Sequence, residues 1–502
     1  MEQYRMFELR FESSRPKGSE AVVDLEAVFT NGGESKTVKG FYAGNGIYAV
    51  RFLPEKEGVY TWRVSGCVEA SGEECCVKAA GGKAHGIVRA VGTHFEYEDG
   101  TPFKPFGTTI YAMMHQKETL IGQTWETLAS APFNKVRYCV FPKHYDYNHN
   151  EPELFAFEKD GNGEWDVDHP CFAFWDHFEA GILKLEEMGI QTDLILFHPY
   201  DHWGFSSFSL EQCKIYLDYL LRRFSAIPSI WWSMANEYDL MLEHPIEHWY
   251  AFERFIADQD PYHHLLGNHN CIKFYDNSRP DITHCCLQTA WMEKAAEWMH
   301  SFHKPVVYDE CCYEGNLPQN WGNISAFEMV HRFWSACTVG AYCTHGEVFL
   351  SEDEVLWWAK GGILKGESPK RIAFLRSILE ELPGYLEEWE NSPAADTENE
   401  EFRKVMERFQ LLRESISEAE LDALKRKDGD CRGHYEDKVF LQYLGHHCNA
   451  LLEWKLPEGH RYRVEVIDVW NMTRETVLTK AGGDIEIRLP GREGMAVLAI
   501  EE

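Results

Sequence analysis

The chain has 502 residues, of which 44% are hydrophobic, and its formal net charge at pH 7 is −32. This length is enough for more than one buried core. A strongly acidic surface repels nucleic acid and anionic membranes, so we expect neither as a partner.

The sequence predicts a cytoplasmic location. No apolar run approaches the length that a bilayer crossing requires, and the N-terminus shows no basic leader followed by an apolar stretch. The fifteen cysteines include no CxxC motif. This pattern indicates reduced thiols rather than a disulfide framework or a zinc site.

Residues 1–91 predict an N-terminal β-sandwich. Short segments alternate apolar and polar residues, and turn sequences such as Asn45-Gly46 separate them. The predicted strands are Met6–Phe11, Val22–Phe29, Gly46–Phe52 and Val59–Val64. We expect this domain to pack against and shield its neighbour rather than to bind sugar.

Residues 92–383 predict a (β/α)8 TIM barrel. Strands alternate with helices, which is typical of a parallel sheet, and eight strand–helix units in about 290 residues match the size of this fold. The predicted strands are Phe103–Thr109, Phe133–Val140, Thr192–His198, a segment ending at Glu237, His264–Asn268, Ile282–His284, a segment ending at Glu310, and Val339–Thr344. The predicted helices include Phe174–Met188, Glu211–Phe224 and Pro369–Leu382. The polar segment Pro142–Pro170 is long enough to cover a site.

Residues 384–502 predict an acidic connector and a C-terminal β-sandwich. The connector includes a mixed-charge helix, Phe402–Lys425. The predicted strands are Val439–Tyr443, Ala450–Trp454, Tyr462–Val469, Ile485–Leu489 and Met495–Ile500. The fold class is therefore α/β, a TIM barrel flanked by two β-sandwiches.

Two predicted barrel strands end in glutamate. The segment Ile230–Glu237 ends in Asn236 and Glu237, and Pro305–Glu310 ends in Glu310. Catalytic groups collect where barrel strands end. Hydrolysis of a glycosidic bond needs one carboxyl to deliver a proton and one carboxylate to face the anomeric carbon. Trp231, Trp232 and a second carboxylate would raise the pKa of Glu237, as a proton donor requires.

The segment Trp232–Glu237 resembles the strand-four motif of the retaining clan A glycoside hydrolases, which include the family 5 cellulases and mannanases. Val306–Glu310 looks like their strand-seven motif. The resemblance implies that Glu237 is the acid/base, Glu310 the nucleophile and Asn236 a ligand of the sugar 2-hydroxyl. It also implies that Arg137 supports the nucleophile and that His198 lies in the sugar site.

The resemblance extends along the chain to a bacterial group of clan A glycosidases that carry two sandwiches around the barrel. Its motifs are Gly40-Phe41-Tyr42, Phe106–Thr109, Thr344–Glu347 and Leu364–Pro369. Strand six reads His284-Cys285-Cys286 where family 5 often has His-x-Tyr, so the sequence does not identify the tyrosine that would bind the nucleophile.

Other residues have two interpretations. Arg137 either supports Glu310 or forms an ordinary salt bridge at the rim. The remaining candidates for sugar binding could equally have structural roles; they are His198, Trp203, His284, His345 and Glu347. The histidines of the loop fit no metal-ligand spacing, so we expect neither a metal nor another cofactor.

The sequence therefore predicts a retaining glycoside hydrolase that acts on a small β-linked glycoside or oligosaccharide. The first alternative is a carbohydrate-binding or scaffold protein on an inactive barrel. The second is a transglycosidase that uses the same residues. The expected partner is a small carbohydrate, and the formation of a homo-oligomer is left open.

Overall fold

The computed structural model describes residues 1–80, 84–389, 400–425 and 431–502. Residues 390–399 and 426–430, which belong to the predicted acidic connector, lie outside the described residues. The connector's predicted helix is present as two helices, Glu400–Ser415 and Glu418–Lys425. Within the described ranges, no helix combines the length and the apolar character that a membrane crossing needs.

An eight-stranded parallel barrel forms the centre of the fold, as predicted. Its strands in chain order are Phe106–Thr109, Lys135–Cys139, Gln191–Phe197, Ile230–Ala235, Leu266–Gly267, Cys285–Gln288, Val306–Glu310 and Tyr342–His345. The fifth and sixth strands share no ladder, but the backbone N–H of Thr283 donates to the Leu266 carbonyl over 2.9 Å. The barrel is nearly closed, so the ends of all eight strands meet at one rim.

The barrel helices have the following bounds: Glu118–Leu128, Phe172–Glu187, Leu210–Phe224, Ile246–Gln259, Ala295–Phe302, Ala326–Thr338, Trp357–Lys360 and Ser368–Glu380. The prediction of eight complete strand–helix units is wrong at the fifth unit, because residues 268–284 contain no helix. The sixth strand begins at Cys285, immediately after the predicted segment Ile282–His284. The backbone there pairs with the strand Val306–Glu310 only from Cys285 onward.

A short three-stranded sheet closes the opposite end of the barrel. Its strands are Val88–Val91, His94–Tyr97 and Pro102–Phe103. Phe95 and Phe103 are buried against Trp231, Leu265 and Val307 inside the barrel. Phe103 therefore belongs to this plug. The sequence had placed it in the first barrel strand, and that prediction is wrong. Since apolar rings fill this end, the accessible end of the barrel is the one where the strands finish.

The N-terminal region is built of two antiparallel sheets. One contains Phe7–Glu12, Phe41–Tyr42 and Ile47–Phe52, and the other contains Leu25–Asn31, Glu34–Lys39, Gly58–Gly66 and Ala70–Cys76. Phe29 and Phe52 stack between them with their ring centroids 4.0 Å apart. Arg51 joins this region to the barrel, because its guanidinium binds Glu179 and the Arg223 carbonyl.

The C-terminal region is also antiparallel. Its six-stranded sheet consists of Glu387–Glu388, Cys431–Tyr435, Val439–Tyr443, Tyr462–Asp468, Thr473–Ala481 and Met495–Glu501. Leu451–Leu456 and Gly483–Arg488 form a second sheet. The predictions missed the strand Thr473–Ala481, in which no residue is fully buried and the apolar alternation is weak. Leu441 and Tyr443 share a core with the barrel helix Ala326–Thr338, which fixes this sheet against the barrel.

Candidate active site

The backbone at the end of the fourth strand holds Glu237 in an unusual conformation. The strand Ile230–Ala235 is buried throughout, and Asn236 and Glu237 follow it directly. Glu237 has φ +56° and ψ +56°, the left-handed region that costs a non-glycine residue about 1–2 kcal/mol. His269 stabilises this turn, since its Nδ1 accepts the Glu237 backbone N–H over 3.3 Å. Strained backbone of this kind clusters at functional sites.

Three side chains donate hydrogen bonds to the carboxylate of Glu237. The Tyr200 hydroxyl and Asn236 Nδ2 both bind Oε2, the latter over 3.2 Å, and the Cys271 thiol is a third donor. The fourth barrel strand supplies the glutamate, and the loop after the third strand supplies Tyr200. Burial and the nearby Glu237 raise the pKa of Tyr200, so this phenol stays a donor. The carboxylate is thus held in one orientation toward the cavity described below.

Glu310 ends the seventh strand and carries a perturbed carboxyl group. The Tyr111 hydroxyl donates to its Oε1, and the Tyr313 hydroxyl forms a second hydrogen bond with the same carboxyl. Burial raises the pKa of Glu310 to about 8, whereas the hydrogen bond from Tyr313 lowers it. The sequence did not identify the tyrosine that would bind the proposed nucleophile, and the structure places two tyrosines there. Both lie within three residues of a strand end.

Asn236 connects the two glutamates. Its Nδ2 binds Glu237, and its Oδ1 lies 2.9 Å from the Tyr111 hydroxyl, which in turn binds Glu310. Arg137 Nη1 donates to the same Oδ1 over 2.9 Å. This network holds both carboxyl groups relative to one another through side chains of the first, second, fourth and seventh strands.

Arg137 is fully buried at the second strand, and its contact with Glu310 differs from the expectation. Nη1 lies 3.7 Å from Glu310 Oε1, which makes an ion pair without a direct hydrogen bond. Its hydrogen bonds go to Asn236 and Tyr111. The pKa of Glu310 is nevertheless raised, because burial has the largest effect on it.

Both glutamates line one cavity of about 480 Å3 at the accessible end of the barrel. Aromatic side chains make up much of the remaining lining; they are Tyr111, Tyr145, Tyr147, Tyr200, Tyr313, Trp321 and Trp358. Lys143 also lines the cavity, although only 2% of its surface is exposed. Lys143, Tyr145 and Tyr147 come from the long loop after the second strand, which was predicted to cover a site.

Below the cavity, buried charges fix the strands that carry the site. Lys135 Nζ lies 2.6 Å from Asp193 Oδ2 and 2.7 Å from Asp309 Oδ1, and all three side chains are buried. The Thr344 hydroxyl also donates to Asp309 over 2.7 Å. Burial opposes ionisation of Asp309, but the charges of Lys135 and Arg137 keep its pKa below its usual range. Because Asp309 precedes Glu310, this cluster sets the position of the glutamate.

The two tryptophans before Asn236 do not have the role expected of them. Trp231 points into the plugged end of the barrel and packs against Phe95 and His284. Trp232 donates to Asp260 over 2.9 Å on the side of the helices. Neither lines the cavity, so the apolar environment expected for Glu237 does not come from them.

Five of the proposed sugar-binding residues lie away from the cavity. His284 precedes the sixth strand and lies at the plugged end beside Trp231. His198 is buried with Nε2 bound to the Phe141 carbonyl over 3.1 Å. Trp203 lies on the outer side of the loop and donates to Glu151 over 3.0 Å. Burial lowers the pKa of His198 to about 4 and of His284 to about 3, which keeps both rings neutral.

His345 and Glu347 are the other two, and both have structural contacts. His345 Nδ1 lies 3.1 Å from the Thr108 hydroxyl and its ring stacks on Phe133. The Glu347 carboxylate accepts the backbone N–H groups of Lys365 and Gly366. Glu347 therefore holds the loop before the last barrel helix, which favours the structural interpretation of this residue over sugar binding. The expectation that functional groups collect where barrel strands end identified the correct end of the barrel. It did not predict the direction of the His345 and Glu347 side chains.

Comparison with known proteins identifies related chains. The family model described as Apiosidase-like, catalytic domain, matches residues 90–383. Two further models, each described as a domain of unknown function, match residues 1–66 and 428–499. No curated protein sequence matches the chain.

Two solved structures from Bacteroides vulgatus resemble this chain. One, described as a candidate glycoside hydrolase, is 33% identical in sequence, with a TM-score of 0.87 over 100% of this chain and 99% of that chain. A glycoside hydrolase of family 5 is 14% identical, with a TM-score of 0.61 over 83% of this chain and 93% of that chain. The second likeness shows the fold alone.

Proposed function

Because the chain belongs to the Apiosidase-like family and is a clan A-like glycoside hydrolase, we propose that it cleaves β-linked glycosides with retention of anomeric configuration. The observation that carries this proposal is the pair Glu237 and Glu310 lining one cavity. Two carboxyl groups at one sugar site are what the double-displacement reaction requires.

In the proposed first step, Glu310 attacks the anomeric carbon while the bond to the leaving oxygen breaks. Glu237 gives its proton to that oxygen, and the sugar becomes an ester of Glu310. In the second step, Glu237 takes a proton from water, and the water oxygen attacks the anomeric carbon. The ester bond breaks, Glu310 leaves as a carboxylate, and the sugar is released with its original configuration.

The hydrogen-bond donors and the arginine around Glu310, and not its raised pKa, support its role as the nucleophile. Glu310 must be ionised to attack, and two phenol donors together with the charge of Arg137 favour its ionised form. Burial opposes ionisation and places its pKa at about 8, so the nucleophile is most active above neutral pH. Asn236 binds Glu237 and is available to the substrate as well. An inactive scaffold would not need this set of donors around both carboxyl groups.

A panel of nitrophenyl β-glycosides, including an apioside because of the family's description, tests the proposal. Proton NMR of the first product formed reports its configuration. We expect the β-anomer first, and a loss of turnover in Glu310→Gln with the fold intact by circular dichroism. Formation of the α-anomer, or normal turnover in both Glu310→Gln and Glu237→Gln, would refute it.

We also propose that the protein acts in a reducing compartment such as the cytoplasm. All fifteen cysteines lie within the described residues, and the fourteen other than Cys431 are thiols that form no disulfide. A protein exposed to an oxidising environment rarely keeps so many unpaired. Fractionation of cells of the source organism, followed by detection of the chain with an antibody, tests this.

A further inference from the structure

Lys143 is a buried cation in the active-site cavity for which the described part of the chain provides no acceptor. Its side chain follows the second strand and is 2% exposed. Within the described residues, its Nζ forms neither a hydrogen bond nor an ion pair, in contrast to Lys135 one layer below. Buried charges in proteins are normally paired, since removal from water is costly.

Aromatic rings surround the Lys143 ammonium group. Nζ lies 3.4 Å from the ring centroid of Tyr111, 4.3 Å from Tyr200, 4.7 Å from Tyr145 and 5.7 Å from Trp358. Cation–π attraction of this kind partly compensates the lost hydration. The rings provide no oxygen acceptor for the three N–H groups, so the ammonium keeps its hydrogen-bonding capacity for a ligand in the cavity.

The four aromatic rings also place the Lys143 ammonium group beside the two glutamates proposed to be catalytic. Tyr111 binds Glu310 and Tyr200 binds Glu237, so Nζ lies between the two rings whose hydroxyls hold the catalytic pair. A ligand group that reaches Lys143 must therefore belong to the sugar at the reacting centre. Burial lowers the pKa of Lys143 to about 8, and the charge of Glu237 opposes this shift. Below that pH the lysine is mainly charged.

We propose that Lys143 binds a carboxylate on the sugar that is transferred, so that the substrates are short β-linked uronides. This inference rests on the proposed function, because it assigns the substrate class of the same cavity. An ammonium without a protein acceptor and an anionic sugar group satisfy each other, and charge-assisted hydrogen bonds are among the stronger ones. The net charge of −32 disfavours long polyuronates, which the surface would repel. A sugar with a single carboxylate carries little charge, and Lys143 in the cavity offsets that charge, so the repulsion by the surface is small.

Binding, which needs no turnover, tests the inference. Calorimetry at about pH 6.5, where uronates are ionised, gives the dissociation constants of nitrophenyl β-glucuronide, β-galacturonide and the matching neutral glucoside and galactoside. We expect at least one uronide to bind about tenfold more tightly than its neutral counterpart. In Lys143→Met, which keeps the length of the side chain but not the charge, we expect this preference to vanish while the neutral glycosides bind as before.

Lys360→Met is the matched control, because Lys360 lines the neighbouring cavity and not this one; it should keep the preference for the uronide. The inference is overturned if no uronide binds more tightly than its neutral counterpart, or if Lys143→Met weakens both classes equally. Selective uronide binding without hydrolysis would refute the proposed function but not this inference. Hydrolysis of neutral glycosides without binding or hydrolysis of any uronide would support the proposed function and overturn this inference.

Discussion

Arg137 Nη1 lies 3.7 Å from Glu310 Oε1, so the two residues form a buried ion pair without a direct hydrogen bond. The arginine instead donates to Asn236 and Tyr111, which themselves contact the two glutamates. It therefore acts on Glu310 by its charge and by ordering the network, while the phenols make the direct contacts.

The first prediction concerns the roles of the two glutamates. Glu237→Ala should lower kcat about 10²–10⁴-fold on poor leaving groups and much less on good ones, which need little proton assistance. Azide should rescue it and give a glycosyl azide of retained configuration. Glu310→Ala should lose nearly all turnover because no covalent intermediate forms. Kinetics on a series of nitrophenyl leaving groups measure this, with the exposed Glu243→Ala as control. An azide product of inverted configuration from Glu237→Ala would show that Glu237 is the nucleophile and Glu310 the acid/base.

The second prediction is geometric. We expect a crystal structure of the protein with a trapped fluoroglycosyl ester to show the sugar on Glu310. In the unliganded crystal the two carboxyl groups should lie about 5 Å apart, the spacing of retaining enzymes. A separation of about 9 Å would leave room for a water molecule and indicate inversion.

The third prediction is a pH dependence. The pKa of Glu310 is raised to about 8, so the carboxyl is protonated and unable to attack below that pH, and kcat/KM should rise with pH toward it. The Tyr313 hydroxyl lowers this pKa, so Tyr313→Phe should move the acid limb of the profile to higher pH. Profiles of kcat/KM for both proteins measure the shift, with Tyr435→Phe in the C-terminal sheet as control. An acid limb that is unchanged in Tyr313→Phe would show that another group controls it.

The fourth prediction concerns the charged cluster under the site. Lys135→Met should lower the free energy of unfolding by about 3–5 kcal/mol, because it leaves Asp193 and Asp309 buried without their cation. Lys438→Met removes an exposed ion pair with Glu436 and should leave the free energy of unfolding nearly unchanged. Urea unfolding monitored by tryptophan fluorescence compares the two. Equal effects of both substitutions would mean that the buried cluster contributes little.

The fifth prediction follows from the revised position of His284. Since its ring packs against Phe95 and Trp231 at the plugged end, His284→Ala should lower the free energy of unfolding by about 1–3 kcal/mol and leave KM unchanged. Thermal unfolding and steady-state kinetics on the same preparation measure both. A KM that rises several-fold with stability unchanged would return His284 to the sugar site.

The sequence by itself determined the barrel, its accessible end and three residues that line the cavity. Asn236, Glu237 and Glu310 follow or end buried apolar strands, and the ends of parallel strands meet at one rim, so their convergence follows from local patterns. The two strands before them are continuous apolar segments that hydrophobic periodicity identifies well. Domain order followed from the change between strand-only and alternating segments.

Only the tertiary structure decided which other side chains reach the cavity. Lys143 and Tyr200 lie in loops, and their contacts depend on how those loops return across the barrel. His284 lies before the sixth strand and not at its end, because that strand begins three residues later than predicted. A shift of one residue is enough to move a side chain such as that of His345 to the other face of a sheet, and sequence patterns do not resolve element boundaries that finely. The charge of Arg137 alone would lower the pKa of Glu310, but burial raises it. Burial depends on the packing of the whole barrel and not on the local sequence.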